Sequence, residues 1–146
     1  MTPTLAAFLD QHGFPRDQLS ALQADRRFTP LMRACKEGRL DIVDELLALG
    51  VDIAVTNADG CNALWLACYH SSHAIIERLI AAGIEIDLQN GNGATCLMYV
   101  SSNSKPDVVK LLLEKGADAS LMNFDDFSAL DLAASVECLR LLRKAA

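Results

Sequence analysis

The sequence has few aromatic residues and no long apolar run. Phenylalanine, tryptophan and tyrosine make up 5% of the 146 residues, whereas hydrophobic residues of all types make up 51%. The chain therefore has enough apolar surface to fold, and its core must consist mainly of leucine, alanine, isoleucine and valine. No stretch approaches the roughly 20 apolar residues of a membrane-spanning helix. These properties predict a folded protein with no membrane partner.

Clusters of positive charge are also absent. The chain has 13 lysines and arginines against 19 acidic residues, which gives a formal net charge of −6. The basic residues between positions 26 and 39 are mixed with Asp25 and Glu37. Proteins that bind nucleic acids usually show the opposite balance, because neutralised phosphates supply much of their affinity. The charge pattern therefore predicts no nucleic-acid partner.

No export signal is visible at the start of the sequence. The first residues, MTPTLAAFLDQ, lack a basic segment, and Asp10 interrupts their apolar run. The five cysteines are an odd number, which suits reduced thiols better than a set of disulfides. We therefore expect a cytoplasmic protein.

Equivalent residues recur at an interval of 33 positions. The recurring sets are Leu31, Leu64, Leu97 and Leu130; Ala34, Ala67, Val100 and Ala133; and Gly50, Gly83 and Gly116. Between them lie apolar pairs spaced three and four residues apart, such as Ile42-Val43 and Leu46-Leu47, which share one face of a helix. A period of this length indicates an array of stacked repeats.

The boundaries of two short helices can be read in each repeat. Pro30 stands at a favourable first helical position, and the recurring glycines suit the residue just after the second helix. Polar turn sequences, NADG and NGNG, precede two of the first helices. The predicted N-cap residues of the first helices are Thr29, Asn62, Thr95 and Ser128.

Four segments carry a family resemblance: TPLMRACKEG (29–38), NALWLACYHS (62–71), TCLMYVSSNS (95–104) and SALDLAASVE (128–137). They resemble the signature of the ankyrin repeat, and the resemblance extends from about residue 25 to 142. It implies an all-α, ankyrin-type α-solenoid of helix-turn-helix repeats with short β-hairpin-like turns. The expected organisation is one continuous domain, with an N-terminal helical cap at 1–27 and repeats at 28–57, 58–90, 91–123 and 124–146.

The sequence departs from the family pattern in several places. Two short amphipathic helices, in TLAAFLDQHGFP and DQLSALQ, are expected to form the cap over the first repeat. Arg27 is expected at the usual turn glycine, and Ser71 and Ser104 at the usual glycine between paired helices. The last repeat reaches Leu141-Leu142 about four residues early, which predicts a shortened loop between its two helices.

The segment CNALWLACYH (61–70) could suggest a metal site made of Cys61, Cys68, His70 and His73. The repeat pattern instead places Cys68 inside the stack, one period after Cys35, and Cys61 before the helix. We therefore predict no metal or cofactor. No nucleophile, base and orienting group come together in the pattern either, which predicts a protein that is not an enzyme.

The resemblance implies protein binding through a concave face, made of the turn tips and the exposed parts of the first helices. The leading hypothesis is a non-catalytic interaction module or adaptor for another protein, and the alternative is a regulatory protein that binds a metal or small molecule. Self-association through the same face stays open. The candidate partner-binding residues are Arg26, Lys36, Glu37, Asp59, Trp65, Tyr69, His70, Asn92, Asn103, Phe124 and Asp125.

Four of these candidates are the expected anchors of a partner: Trp65, Tyr69, His70 and Phe124. The alternative for two of them is structural. Trp65 could fill a gap between adjacent first helices, and Phe124 could pack between hairpins. Several acidic residues near the same surface, such as Asp125, would favour the approach of basic groups, although surface charge of this kind is often only solvated.

Overall fold

A computed structural model describes residues 1–145, and within them the chain forms nine α-helices and no strand beyond an isolated bridge between Met122 and Ser128. The predicted all-α class is therefore confirmed. None of these helices combines the length and the apolar character needed to cross a membrane. The helices are α1 (Pro3–His12), α2 (Pro30–Lys36), α3 (Leu40–Ala48), α4 (Ala63–His70), α5 (His73–Ala81), α6 (Cys96–Ser102), α7 (Pro106–Glu114), α8 (Ala129–Leu132) and α9 (Val136–Ala145).

The helices fall into two compact units, Met1–Ile84 and Glu85–Ala146. The first unit holds α1 to α5, and the second holds α6 to α9. In the first unit α2 packs against α4 and α3, and in the second unit α6 packs against α8 and α7. Each unit thus pairs the first helices of two consecutive repeats and covers them with second helices.

The first helices begin where the sequence predicts. The Thr29 hydroxyl accepts a hydrogen bond from the Met32 N–H at 3.1 Å, and Thr95 and Ser128 make the same bond in their own repeats. Asn62 also occupies the N-cap position, but its side chain makes no capping hydrogen bond. The predicted boundary is therefore confirmed in all four repeats, and the predicted cap bond is wrong for Asn62.

Small buried residues allow the first helices of the first unit to approach closely. Ala34 and Cys35 of α2 and Ala67 and Cys68 of α4 are all completely buried. Burial raises the pKa of the Cys35 thiol, so it stays protonated. All five cysteines are free thiols. As predicted, they behave as small apolar residues placed by the repeat.

The cap contains one helix where two were predicted. Helix α1 buries Leu5, Phe8 and Leu9 and packs against α3. The predicted helix in DQLSALQ is wrong, because residues 13–29 form turns and irregular backbone. Gly13 ends α1 with a φ of 73°, and a segment as short as DQLSALQ gains too few hydrogen bonds to nucleate a helix.

The last repeat is shortened within its first helix. Helix α8 has four residues, compared with seven in α6, whereas the loops at 103–105 and 133–135 have equal length. The predicted shortening of the loop is therefore wrong. Ala133 leaves the helix with extended backbone angles, and the Ala134 N–H donates to the Ser101 carbonyl at 3.1 Å. This bond anchors the early exit to α6.

Two serines occupy left-handed backbone positions between paired helices. Ser71 has a φ of 65° and Ser104 a φ of 54°, where the first repeat has Gly38 at 70°. The predicted equivalence of these positions is confirmed. A residue with a β-carbon is strained in this conformation, whereas glycine is not.

The Ser104→Gly variant should raise the free energy of unfolding by about 0.5–1 kcal/mol, because released strain exceeds the extra chain entropy of glycine. Urea denaturation measures this change. The matched control, Ser102→Gly, lies in helix α6 and should lower stability by about 0.5 kcal/mol. A loss of stability in Ser104→Gly as large as in the control would contradict the strain argument.

His12 joins the cap to the first repeat. Its Nε2 atom lies 2.9 Å from a Glu37 carboxylate oxygen, and its ring meets the edge of the Phe8 ring at 4.7 Å between centroids. Burial lowers the pKa of His12 below 6.5 and outweighs the attraction of Glu37, while Arg33 and Arg39 lower it further. The folded protein therefore holds His12 in its neutral form at neutral pH.

This lowered pKa makes stability depend on pH. Below pH 6.5 the unfolded chain takes up a proton on His12 before the folded chain does, so the stability present above that pH is lost as the pH falls. One site contributes at most about 1.4 kcal/mol per pH unit. Urea midpoints between pH 7.5 and 5.5 should fall less steeply for His12→Gln than for wild type. Parallel profiles would contradict the assignment.

Candidate functional site

Three of the turn tips share one asparagine arrangement. The Asn57 Oδ1 atom accepts hydrogen bonds from the backbone N–H groups two and four residues later, at 3.0 and 3.1 Å. Asn90 and Asn123 do the same at 3.0 Å. The sequence pattern indicated polar turns but did not single out this asparagine, although it too recurs every 33 residues. These bonds fix the orientation of the exposed tip residues.

The first turn is built differently. It closes from the Gln23 N–H to the Phe28 carbonyl, one residue further than the other turns, and Arg26 takes the left-handed position with a φ of 59°. The prediction that Arg27 occupies the glycine position is therefore wrong by one residue. The Arg26 carbonyl accepts a hydrogen bond from the Ala58 N–H at 2.9 Å. Arg26 and Asp59 are thereby held, exposed, on two linked turn tips.

Trp65 is not available as a contact residue. Its side chain is only 9% exposed, so its predicted role as an anchor is corrected in favour of a structural one. Phe28 and Met98, whose repeat positions also suggested exposure, are buried as well. Tyr69, in contrast, projects from α4 and is 57% exposed. Among the aromatic candidates of the first unit, Tyr69 alone keeps an accessible ring.

His70 connects the ends of two first helices. Its Nδ1 atom lies 3.2 Å from the Lys36 carbonyl oxygen, and its ring lies so close to Gly38 that a β-carbon there would collide with it. Gly38 also has a φ of 70°, which favours glycine. Although exposed, His70 is therefore committed to holding α4 beside α2.

Positively charged groups surround the Phe28 ring in the first unit. The Arg27 and Arg33 guanidinium carbons lie 5.5 and 5.1 Å from the ring centroid, and the Lys36 Nζ atom lies 5.0 Å from it. Lys36 also lies 5.9 Å from the Tyr69 centroid. These distances suit cation–π contacts. We refer to Arg27, Phe28, Arg33, Lys36 and Tyr69 as the cation–aromatic patch.

Glu37 borders this patch but is already engaged. Its carboxylate pairs with Arg33 Nε at 2.8 Å and with His12 at 2.9 Å. Arg33 was not among the predicted site residues, because the acidic composition of the chain drew attention away from local positive charge. Glu37 therefore serves the packing of the cap more directly than it serves a partner.

The second unit presents an exposed apolar turn. Phe124 is 73% exposed, and Met122 and Phe127 are about half exposed. One face of the Phe124 ring covers Gly93, where a β-carbon would come within 2.6 Å of the ring, and its N–H donates to the Asn92 carbonyl at 3.0 Å. Phe124 thus has the packing role of the alternative interpretation and still exposes most of its surface.

The remaining candidates of the second unit differ in role. Asp125 is exposed at the tip of the last turn, next to Asp126, which has a φ of 65°. Asn92 is exposed on the neighbouring turn. The Asn103 amide instead donates to the Tyr99 carbonyl at 2.9 Å and closes the end of α6. Asp125 and Asn92 are placed to meet a partner, whereas Asn103 is partly occupied by its own helix.

The cysteines and histidines of the 61–73 region do not form a metal site. Cys68 is buried in the stack, Cys61 lies half-buried in a turn, and His70 is held over Gly38. Throughout residues 1–145 no group of three or more histidine, cysteine, aspartate or glutamate side chains is placed to hold a metal ion.

The sequence matches a known family over nearly its whole length. The model for ankyrin repeats, which describes three copies, matches residues 4–90 and 64–146. A comparison with curated proteins gave no match. The match starting at residue 4 includes α1, so the cap region carries repeat-like features of its own. The repeat period, the paired helices and this match together show that the chain belongs to the ankyrin repeat family.

Proposed function

We propose that this protein is a non-catalytic interaction module, which binds a partner protein through turn tips and exposed parts of the first helices. Ankyrin repeats generally serve as protein-protein interaction modules. The observation that carries the proposal is the exposure of aromatic side chains at these positions, since the large apolar residues elsewhere are mostly buried. Such exposure is typical of contact surfaces. The proposal includes a cytoplasmic location, which suits the free thiols.

Each unit would contribute its own contact residues. In the first unit these are Tyr69, Lys36 and Arg26, with Asp59 on the adjacent turn tip. In the second unit the exposed turn brings an aromatic ring, Phe124, together with acidic groups. Aromatic rings supply contact area at a low cost in side-chain entropy, and the charged groups around them select the partner.

A pull-down from a lysate of the native cells, read by mass spectrometry, tests this surface. The Tyr69→Ala, Asp125→Ala double variant should retain at least tenfold less of a specific partner than wild type. The matched control, Glu77→Ala with Lys110→Ala, changes exposed charges on the second helices and should retain the partner fully.

Both variants must first show the thermal transition of wild type. A partner that the control loses and the double variant keeps would place binding on the second helices and contradict the proposal. Failure of wild type to retain any protein above background would contradict it too.

A further inference from the structure

The cation–aromatic patch concentrates positive charge in a chain of net charge −6. Three cationic groups lie within 5.5 Å of the centroid of one ring, so no two of them are more than about 11 Å apart, close to the screening distance at physiological salt. Cation–π attraction of roughly 0.5–1 kcal/mol per group offsets part of their mutual repulsion. The arrangement favours the approach of an anion.

Two of the three cations have no anionic partner in the protein. Arg33 is paired with Glu37 at 2.8 Å. Within residues 1–145, however, no carboxylate oxygen lies within 4.0 Å of the charged groups of Arg27 or Lys36. The nearby carboxylate of Asp25 accepts the backbone N–H of Arg27 at 3.1 Å. The side chains of Arg27 and Lys36 are therefore open to an external carboxylate.

An accessible aromatic ring adjoins these two cations. Tyr69 is 57% exposed and lies 5.9 Å from Lys36 Nζ. The first helices place it there, because Tyr69 follows Lys36 by one repeat of 33 residues and α2 packs beside α4. A ligand that meets the cations therefore meets the face or edge of this ring as well.

We propose that the cation–aromatic patch binds an acidic segment of a partner protein that carries an aromatic side chain beside its carboxylates. Arg27 can bind a carboxylate through two parallel N–H groups, and Lys36 supplies a point charge between two rings. Tyr69 packs against the aromatic side chain of the segment. This inference rests on the proposed function and specifies the chemistry of the partner.

The test uses a fluorescein-labelled, capped nine-residue peptide with two phenylalanines separated by acidic residues, and binding is measured by fluorescence anisotropy. Wild-type protein should bind this peptide at least tenfold more tightly than a peptide with lysines in place of the acidic residues. Binding should weaken as salt rises from 50 to 300 mM, because the attraction is electrostatic.

Variants locate the binding on the patch. Lys36→Glu and Arg27→Glu should each weaken binding at least tenfold, and Lys36→Gln, which keeps the stem over the ring, should weaken it less. Tyr69→Ala should weaken binding about fivefold, whereas Tyr69→Phe should retain it. The matched control is Lys110→Glu, which reverses an exposed charge on α7 and should bind within twofold of wild type. Circular dichroism verifies that each variant is folded.

Equal loss in Lys36→Glu and Lys110→Glu, or no binding to wild type at 1 mM protein, would overturn the proposal. Tighter binding of single-stranded oligouridine than of the peptide would overturn it as well, because the patch would then bind phosphates. If a lysate partner is lost by Tyr69→Ala yet retained by Lys36→Glu, the interaction function stands and the acidic partner is wrong.

Discussion

The close approach of first helices in consecutive repeats is the contact on which the rest of the structure depends. In the first unit it is made by fully buried small residues, Ala34 and Cys35 against Ala67 and Cys68. Larger side chains there would separate the helices, because protein interiors are packed too densely to absorb added volume. The contact also places Lys36 beside Tyr69, which occupy the same position in successive repeats. The candidate binding surface is thus a direct product of repeat stacking.

The sequence predicted those parts of the fold that depend on local chemistry and on the repeat period. Capping residues, glycines after second helices and apolar pairs depend on residues a few positions apart, so they could be located. The second cap helix could not be excluded, because DQLSALQ has a helical pattern but lacks the length to form a helix alone. The exit of α8 at Ala133 depends on a hydrogen bond to Ser101, 33 residues away, which no local pattern contains.

The candidate site was harder to predict, because burial depends on how neighbouring repeats fill space. The pattern placed Trp65 and Phe28 on the exposed side, yet both are buried by their surroundings. Phe28 and Phe127 hold equivalent repeat positions, but only Phe28 has basic side chains packed over its ring. Tyr69 and Phe124 were predicted at exposed positions, and both are exposed. The positive patch was missed because overall composition conceals a local excess of one charge.

The stability of an Ala67→Glu variant tests the stacking account most directly. Ala67 is fully buried in α4, and an unpaired charge there should lower the free energy of unfolding by about 3 kcal/mol or more. Ala74→Glu is the matched control: it makes the same replacement at an exposed position of α5 and should change stability by no more than about 0.5 kcal/mol. The account predicts this contrast in urea denaturation. An unchanged cooperative transition in Ala67→Glu would contradict it.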